Sequence, residues 1–185
     1  MKIIYQADEN YPKMLGKIYA PPTKLYLLGN EKILNNTSIA MVGCRKSSKY
    51  GEKVAFQLAY ELAKRGIVIV SGLARGIDSY SHLGAIKAKG KTIAVLGSGF
   101  NNIYPKENKK LCEDILKYNG AMITEYSPEK KPLKMHFPAR NRIIRGITVG
   151  VVVIEAKEKS GTMITVDYAL DQGREVFAVP RKYYK

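Results

Sequence analysis

The chain is short of acid: among 185 residues, 16 Asp plus Glu stand against 31 Lys plus Arg, giving a formal net charge of +15. It is also short of cysteine. Cys44 and Cys112 lie far apart, with no Cys-x-x-Cys pair and no Cys/His cluster, which argues against a disulfide scaffold and a zinc site and suits a reducing compartment. No apolar run approaches the roughly 18 residues that a membrane-spanning helix needs. The first residues carry Lys2, Asp8 and Glu9 where a secretory leader would be apolar, so the expected setting is cytoplasmic, with no membrane partner. What is present is a composition able to fold: 45% hydrophobic and 25% charged residues bury a sizeable core, unlike a disordered polycation. An excess of positive charge on a folded domain calls for a polyanionic partner, with nucleic acid ranked first, an anionic membrane surface second and a nucleotide third.

The pattern along the chain predicts an α/β fold. Residues 1–30 read as irregular, broken by Tyr11-Pro12, Ala20-Pro21-Pro22 and Gly29-Asn30, and residues 1–37 are taken as an N-terminal strap on a single domain spanning 1–185. From Ser38 onward, short β-branched runs at 39–42, 67–70, 92–96, 121–124, 150–154 and 175–179 alternate with helical periodicities, the signature of βαβ units around a parallel sheet. Val54, Leu58 and Leu62 recur every four residues beside Ala55, Ala59 and Ala63, one apolar helix face ending at Arg65-Gly66. Further helices are expected at 78–89, 106–118, 140–147 and 162–172. In such a sheet the loops that follow the strands gather on one edge, where ligands bind. Those loops are rich in Gly, Ser, Thr and cations, which predicts a phosphate-binding rim.

The familiar nucleotide motifs fail. The stretch from Gly84 to Thr92 imitates a Walker A loop, but it has five residues between its glycines and leads from helix into strand. Gly97-Ser98-Gly99 opens like a dinucleotide fingerprint, yet Asn102 stands at its third glycine position and it follows the third strand of the sheet. Asp78 and His82, four apart on a helix, read as a local hydrogen-bonding pair rather than an acid/base couple or half a metal site. Cys44 beside Arg45 reads as a small residue at a tight turn.

Three segments go beyond composition: Val42-Gly43-Cys44-Arg45-Lys46-Ser47-Ser48-Lys49-Tyr50-Gly51; Ser71-Gly72-Leu73-Ala74-Arg75-Gly76-Ile77-Asp78 with His82; and Phe137-Pro138-Ala139-Arg140-Asn141-Arg142-Ile143-Ile144. Together with Tyr104-Pro105, Thr124-Glu125-Tyr126 and the run from Gln172 to Pro180, they resemble the DprA/Smf family of bacterial DNA-processing proteins. The resemblance implies an extended Rossmann-like fold, a doubly wound, mostly parallel sheet with helices on both faces. It implies sequence-independent binding and protection of single-stranded DNA in natural transformation and recombination, and loading of the RecA recombinase. It implies no catalytic residue, metal or cofactor. Carried over by motif position, Arg45, Lys46 and Ser47 are phosphate ligands at the start of the first long helix, Lys134 grips the backbone, and Phe137 stacks on a base from an exposed loop. Arg140, Asn141 and Arg142 position further phosphates, while Gly72, Arg75, Gly76, Ser160, Gly161 and Thr162 complete the site.

The sequence departs from the family pattern in two ways. Cys44 replaces the usual Ser, and after Pro180 the chain reads Arg181-Lys182-Tyr183-Tyr184-Lys185 where the family has Gly and a further segment. Neither an N-terminal helical domain nor a C-terminal winged-helix domain is expected, which bears on homodimerisation and RecA loading. The runner-up is a nucleotide sensor, or an enzyme like the related phosphoribohydrolases. Their P-G-G-x-G-T-x-x-E signature compares with residues 157–165, where Thr165 takes the place of the catalytic Glu.

Overall fold

The β-branched runs become strands of one mixed sheet. The computed structural model describes residues 1–156 and 173–180. Its eight strands are β1 (Lys2–Tyr5), β2 (Lys24–Gly29), β3 (Ser38–Gly43), β4 (Val68–Ser71), β5 (Thr92–Val95), β6 (Ala121–Thr124), β7 (Gly150–Glu155) and β8 (Glu175–Ala178). They lie in the order β1-β2-β6-β5-β4-β3-β7-β8. The six strands from β6 to β8 pair in parallel, while β1 and β2 add an antiparallel edge. Four described α-helices accompany them: α1 (Lys49–Lys64), α2 (Ile77–Lys87), α3 (Lys109–Lys117) and α4 (His136–Gly146).

Strands buried on both faces need apolar side chains on both, and β4 (Val-Ile-Val-Ser), β5 and β6 are buried at every position. The pleat then sorts them. Ala40, Val42, Val70, Ile93, Val95, Ile123 and Val151 face a core completed by α4 and the N-terminal segment, through Leu15, Ile33, Ile143 and Ile147. Met41, Ile69, Val152 and Ile154 face α1 and α2. Ala94 and Met122 continue that second layer under α3. The buried stripe of α1 is Ala55, Ala59 and Ala63, one side chain per turn and small enough to bring the backbones of α1 and α2 close. The architecture is the extended Rossmann-like, doubly wound sheet that the sequence pattern and the family resemblance predict.

The differences lie at the N-terminus and at α4. Residues expected to be an irregular strap supply two sheet strands, because Leu25 and Leu27 are buried when β2 pairs with β6. The Tyr11 hydroxyl, buried, donates to the Pro22 carbonyl (2.7 Å) and ties the connecting segment down. Helix α4 begins at His136 rather than at 140, with Pro138 in its first turn, where a missing N–H costs nothing. The helix expected at 162–172 lies outside the described residues.

Candidate nucleic-acid interface

At the carboxyl ends of the parallel strands a solvent-open cleft of about 310 Å³ is lined by Arg45, Gly72, Ala74, Arg75, Tyr104, Pro105, Phe137 and Arg140. Its floor is the loop between β4 and α2. The buried Asp78 carboxylate accepts from the N–H groups of Gly72 (3.1 Å) and Ala74 (3.2 Å), and the Asn108 amide donates to the Leu73 carbonyl (2.8 Å). At Gly76 the backbone turns with φ +70°, and a Cβ there would lie 2.4 Å from the Cys44 carbonyl oxygen. Only glycine permits both that angle and that approach of the two loops.

Arg140 rises beneath the floor with 4% exposure. One Nη1 donates to the Gly72 carbonyl (2.6 Å) and also to the Val95 carbonyl, so the side chain is a strut between β5 and the loop. Burial pulls its pKa down to about 10, against the opposing pull of Asp78, and burial pushes Asp78 up against the pull of Arg140. A Cβ on Gly72 would fall 2.4 Å from that Nη1. Beside the pair, buried His82 holds its Nδ1 2.7 Å from the Thr92 hydroxyl. That hydroxyl donates to the Ile69 carbonyl, so Nδ1 is the protonated nitrogen. Burial and the Arg140 charge pull the His82 pKa down to about 3, and the ring is neutral. His82 thus faces the sheet while Asp78 faces the loop. Among the described residues, no group of His, Cys, Asp and Glu is placed to hold a metal ion.

The cleft wall combines cations with rings. The Arg45 guanidinium lies over the Phe137 ring at 5.2 Å from its centroid, and the Tyr104 ring is 5.5 Å from Phe137 at a tilt of 49°. Phe137 is held from behind by Gly97, whose Cβ would come within 3.0 Å of its ring. Its neighbour His136, stacked on Tyr126 at 4.0 Å with Nδ1 3.2 Å from the Gly97 carbonyl, fixes the start of α4. Lys46 and Lys134 are exposed beside this wall's loops. Arg75, also exposed, is paired with Glu107, which holds that carboxyl below the usual range. The chemistry on offer is anion binding and ring stacking in a half-enclosed groove.

A family model described as DNA recombination-mediator protein A matches residues 2–185. The chain belongs to that family. It is 49% identical to DNA processing protein DprA of Bacillus subtilis over 94% of this chain and 59% of that one. It is 46% identical to DprA of Streptococcus pneumoniae, over 94% and 61% respectively. The chain therefore spans about three-fifths of the length of these two relatives. Among solved structures, S. pneumoniae DNA processing protein A superposes with a TM-score of 0.92 at 42% identity, covering all of this chain and 64% of that one. DNA processing protein A of Helicobacter pylori, described for its single-stranded DNA binding mode, gives 0.88 at 32%, covering 98% and 86%. A molybdenum cofactor binding protein from Rippkaea orientalis, at 22% identity and a TM-score of 0.57 over 77% of this chain and 75% of that one, shares the fold alone.

In this member of the DNA recombination-mediator protein A family, the predicted site residues separate into groups. Arg45, Gly72, Arg75, Phe137 and Arg140 line one cleft, and Gly76 shapes its loop. Phe137 stands half-buried in the first turn of α4 rather than on an exposed loop. Arg140 corrects its expected role, since a buried guanidinium spent on two carbonyls is no exposed phosphate ligand. Arg142 is paired: its two Nη atoms donate to the two Glu125 carboxylate oxygens at 2.9 and 2.6 Å, and it is not among the residues that line the cleft. Asn141 is half-buried on the same helix. Ser47 donates to Glu52 (3.2 Å), and the α1 start is filled from within: Ser48 donates its N–H and hydroxyl to Glu155 at 3.0 and 2.9 Å. An internal carboxylate thus sits where the expected phosphate would. Ser160, Gly161 and Thr162 lie outside the described residues. Tyr104, Pro105 and Glu107 were missed, although the Tyr-Pro dipeptide shortly after Gly97-Ser98-Gly99 marked the first two.

Proposed function

We propose that the chain binds single-stranded DNA in this cleft without reading its bases, as a DNA-protecting partner in transformation and recombination, and that it does so without covalent chemistry. The observation that carries the reading is the Arg45–Phe137 stack at the cleft wall, a cation and a ring presented together. A nucleotide has one feature for each: a phosphate for Lys46, Lys134, Arg75 and the exposed Arg45, and a π-face for Tyr104 and for Phe137 once the Arg45 guanidinium moves off its ring to a phosphate. Because every base has such a face, the stack is tolerant of sequence. The formal charge of +15 supplies long-range attraction, and the H. pylori relative is described for single-strand binding. Gly72 makes way for the Arg140 guanidinium that props the floor, and its N–H is spent on Asp78.

The cleft lining of guanidinium, ring and backbone holds anions rather than shuttling protons, which favours a binder over a phosphoribohydrolase-like enzyme. The occupied α1 terminus speaks against a mononucleotide sensor of the usual Rossmann geometry. A cytoplasmic setting accords with this reading, and no described helix is long and apolar enough to cross a membrane. Hand-over to RecA and pairing of two copies rest on the family resemblance alone and extend the same reading. The test is anisotropy titration of labelled mixed-sequence, all-pyrimidine and all-purine oligonucleotides against the wild type and Arg45→Ala. The variant is expected to weaken all three to a similar degree. Base release from a nucleoside monophosphate, or tight mononucleotide binding that survives Arg45→Ala, contradicts the proposal.

A further inference from the structure

The opposite edge of the sheet carries a second concentration of positive charge. In a parallel sheet the segments that enter the strands all lie on the edge away from the cleft, and here those that enter β4, β5 and β6 are basic. Lys64 and Arg65 precede β4, Lys89 and Lys91 precede β5, and Lys117 with Tyr118 precedes β6. Because β2 runs antiparallel, its carboxyl end, followed by Lys32, lies on this edge too. Neighbouring segments touch. A Cβ on Gly90 would sit 2.6 Å from the Ala63 side chain, a Cβ on Gly120 2.6 Å from the Thr92 carbonyl, and the Asn30 N–H donates to the Gly120 carbonyl at 2.9 Å. With strands about 4.8 Å apart, the row across β4, β5, β6 and β2 is about 15 Å long.

Lys32, Lys64, Lys89 and Lys117 are exposed and Lys91 is half-exposed. The nearby acids are spent elsewhere, Glu61 on Arg65 (2.7 Å) and Glu31 on Lys2 (2.8 Å). Among the described residues, no ion pair engages these five lysines. Helix-dipole complementarity accounts for Lys64 and Lys117, which stand in the last turns of α1 and α3. It extends to Lys89, directly after the α2 cap, but does not account for Lys32 and Lys91. The Lys117 ammonium sits 6.0 Å from the centroid of the Tyr118 ring, which is 41% exposed, so the row also offers a stacking face.

We propose that this row is a second docking surface for single-stranded nucleic acid, engaged by the part of the strand that leaves the cleft. The inference rests on the cleft reading for the strand's other contact. A polyanion is what unpaired lysines at this density attract, and the exposed ring beside them suits unpaired bases better than an acidic peptide.

The experiment compares the wild type, Lys89→Gln/Lys91→Gln/Lys117→Gln and Lys134→Ala on labelled strands of two lengths. One is about 6 nucleotides, near the lower end of a single-strand groove's site size, and the other is about 40. The triple variant is expected to match the wild type on the short strand. On the long one it binds more weakly, with a salt slope shallower by up to about 2, roughly 0.7 for each lost phosphate contact. Lys134→Ala weakens both lengths. Wild-type affinity and slope of the triple variant on the long strand overturn the proposal, as does equal loss on both lengths. If Lys134→Ala is silent while the triple variant loses the long strand, the edge stands and the cleft reading falls. Poly-glutamate bound as tightly as the long strand, and lost in the triple variant, would overturn the nucleic-acid assignment.

Discussion

At the scale of single residues, the side chains proposed to meet the nucleotide differ from those that hold the site in shape. Lys134 and Phe137 are proposed for the first group by different physics, a phosphate contact and a base stack. Lys134→Ala is expected to weaken binding to every sequence and flatten the salt dependence by about 0.7 in log–log slope, because one released counterion is lost. Phe137→Ala is expected to cost about 1–3 kcal/mol per stacked base with little change in slope, since stacking releases no ions. Both are read from the same anisotropy titrations, and identical slopes for wild type and Lys134→Ala contradict the phosphate assignment. Glu107 opposes them, since its carboxylate holds Arg75 at the cleft rim. Glu107→Gln is expected to tighten binding and steepen the salt dependence, an effect that vanishes when Arg75 is also replaced. The sequence made Arg45 and Phe137 legible because they sit in distinctive motifs. It could not separate Arg140 from Arg142, two positions apart in one motif, because helical rotation sends one beneath the cleft floor and the other to Glu125.

At the scale of elements, the loop between β4 and α2 is the piece on which the cleft depends. It is braced by Asp78, Asn108 and Arg140, and Gly72 leaves no room for a side chain against the Arg140 guanidinium. Gly72→Ala is therefore expected to destabilise the fold by about 1–3 kcal/mol, a cost typical of overpacking, visible as a lowered denaturant midpoint. Under the same loop, His82 ties stability to pH. Its folded pKa of about 3 lies below the ordinary 6.5, so the unfolded chain takes up a proton that the folded chain refuses. This contribution is full above pH 6.5 and is lost as pH falls toward 3. Between pH 6.5 and pH 5 the loss is about 2 kcal/mol, and the difference in pH dependence between wild type and His82→Gln measures it. If the two fall in parallel, His82 is not the neutral buried group described. The strands and helices around this loop were readable from periodicity. The α4 start was not, because a proline that ends most helices sits harmlessly in a first turn.

At the scale of the whole molecule, a parallel sheet sorts its loops onto two edges, and both edges here are basic. One edge folds its cations around rings and a braced loop, and the other leaves them in an open row. The N-terminal strands were hidden from pattern reading because β1 is only four residues long and β2 stands alone after a proline-rich stretch, with pairing partners distant in sequence. The doubly wound core was legible because its strands are buried on both faces and so are nearly continuous apolar runs. The central claim is that this basic, ring-lined surface takes unpaired nucleic acid. It is tested most directly by fluorescence anisotropy with a labelled single strand and its matched duplex, each titrated at two salt concentrations. The account predicts tighter binding to the single strand, weakening steeply with salt, because only unpaired bases offer a free face to Phe137. Equal, weak binding to both forms would contradict it.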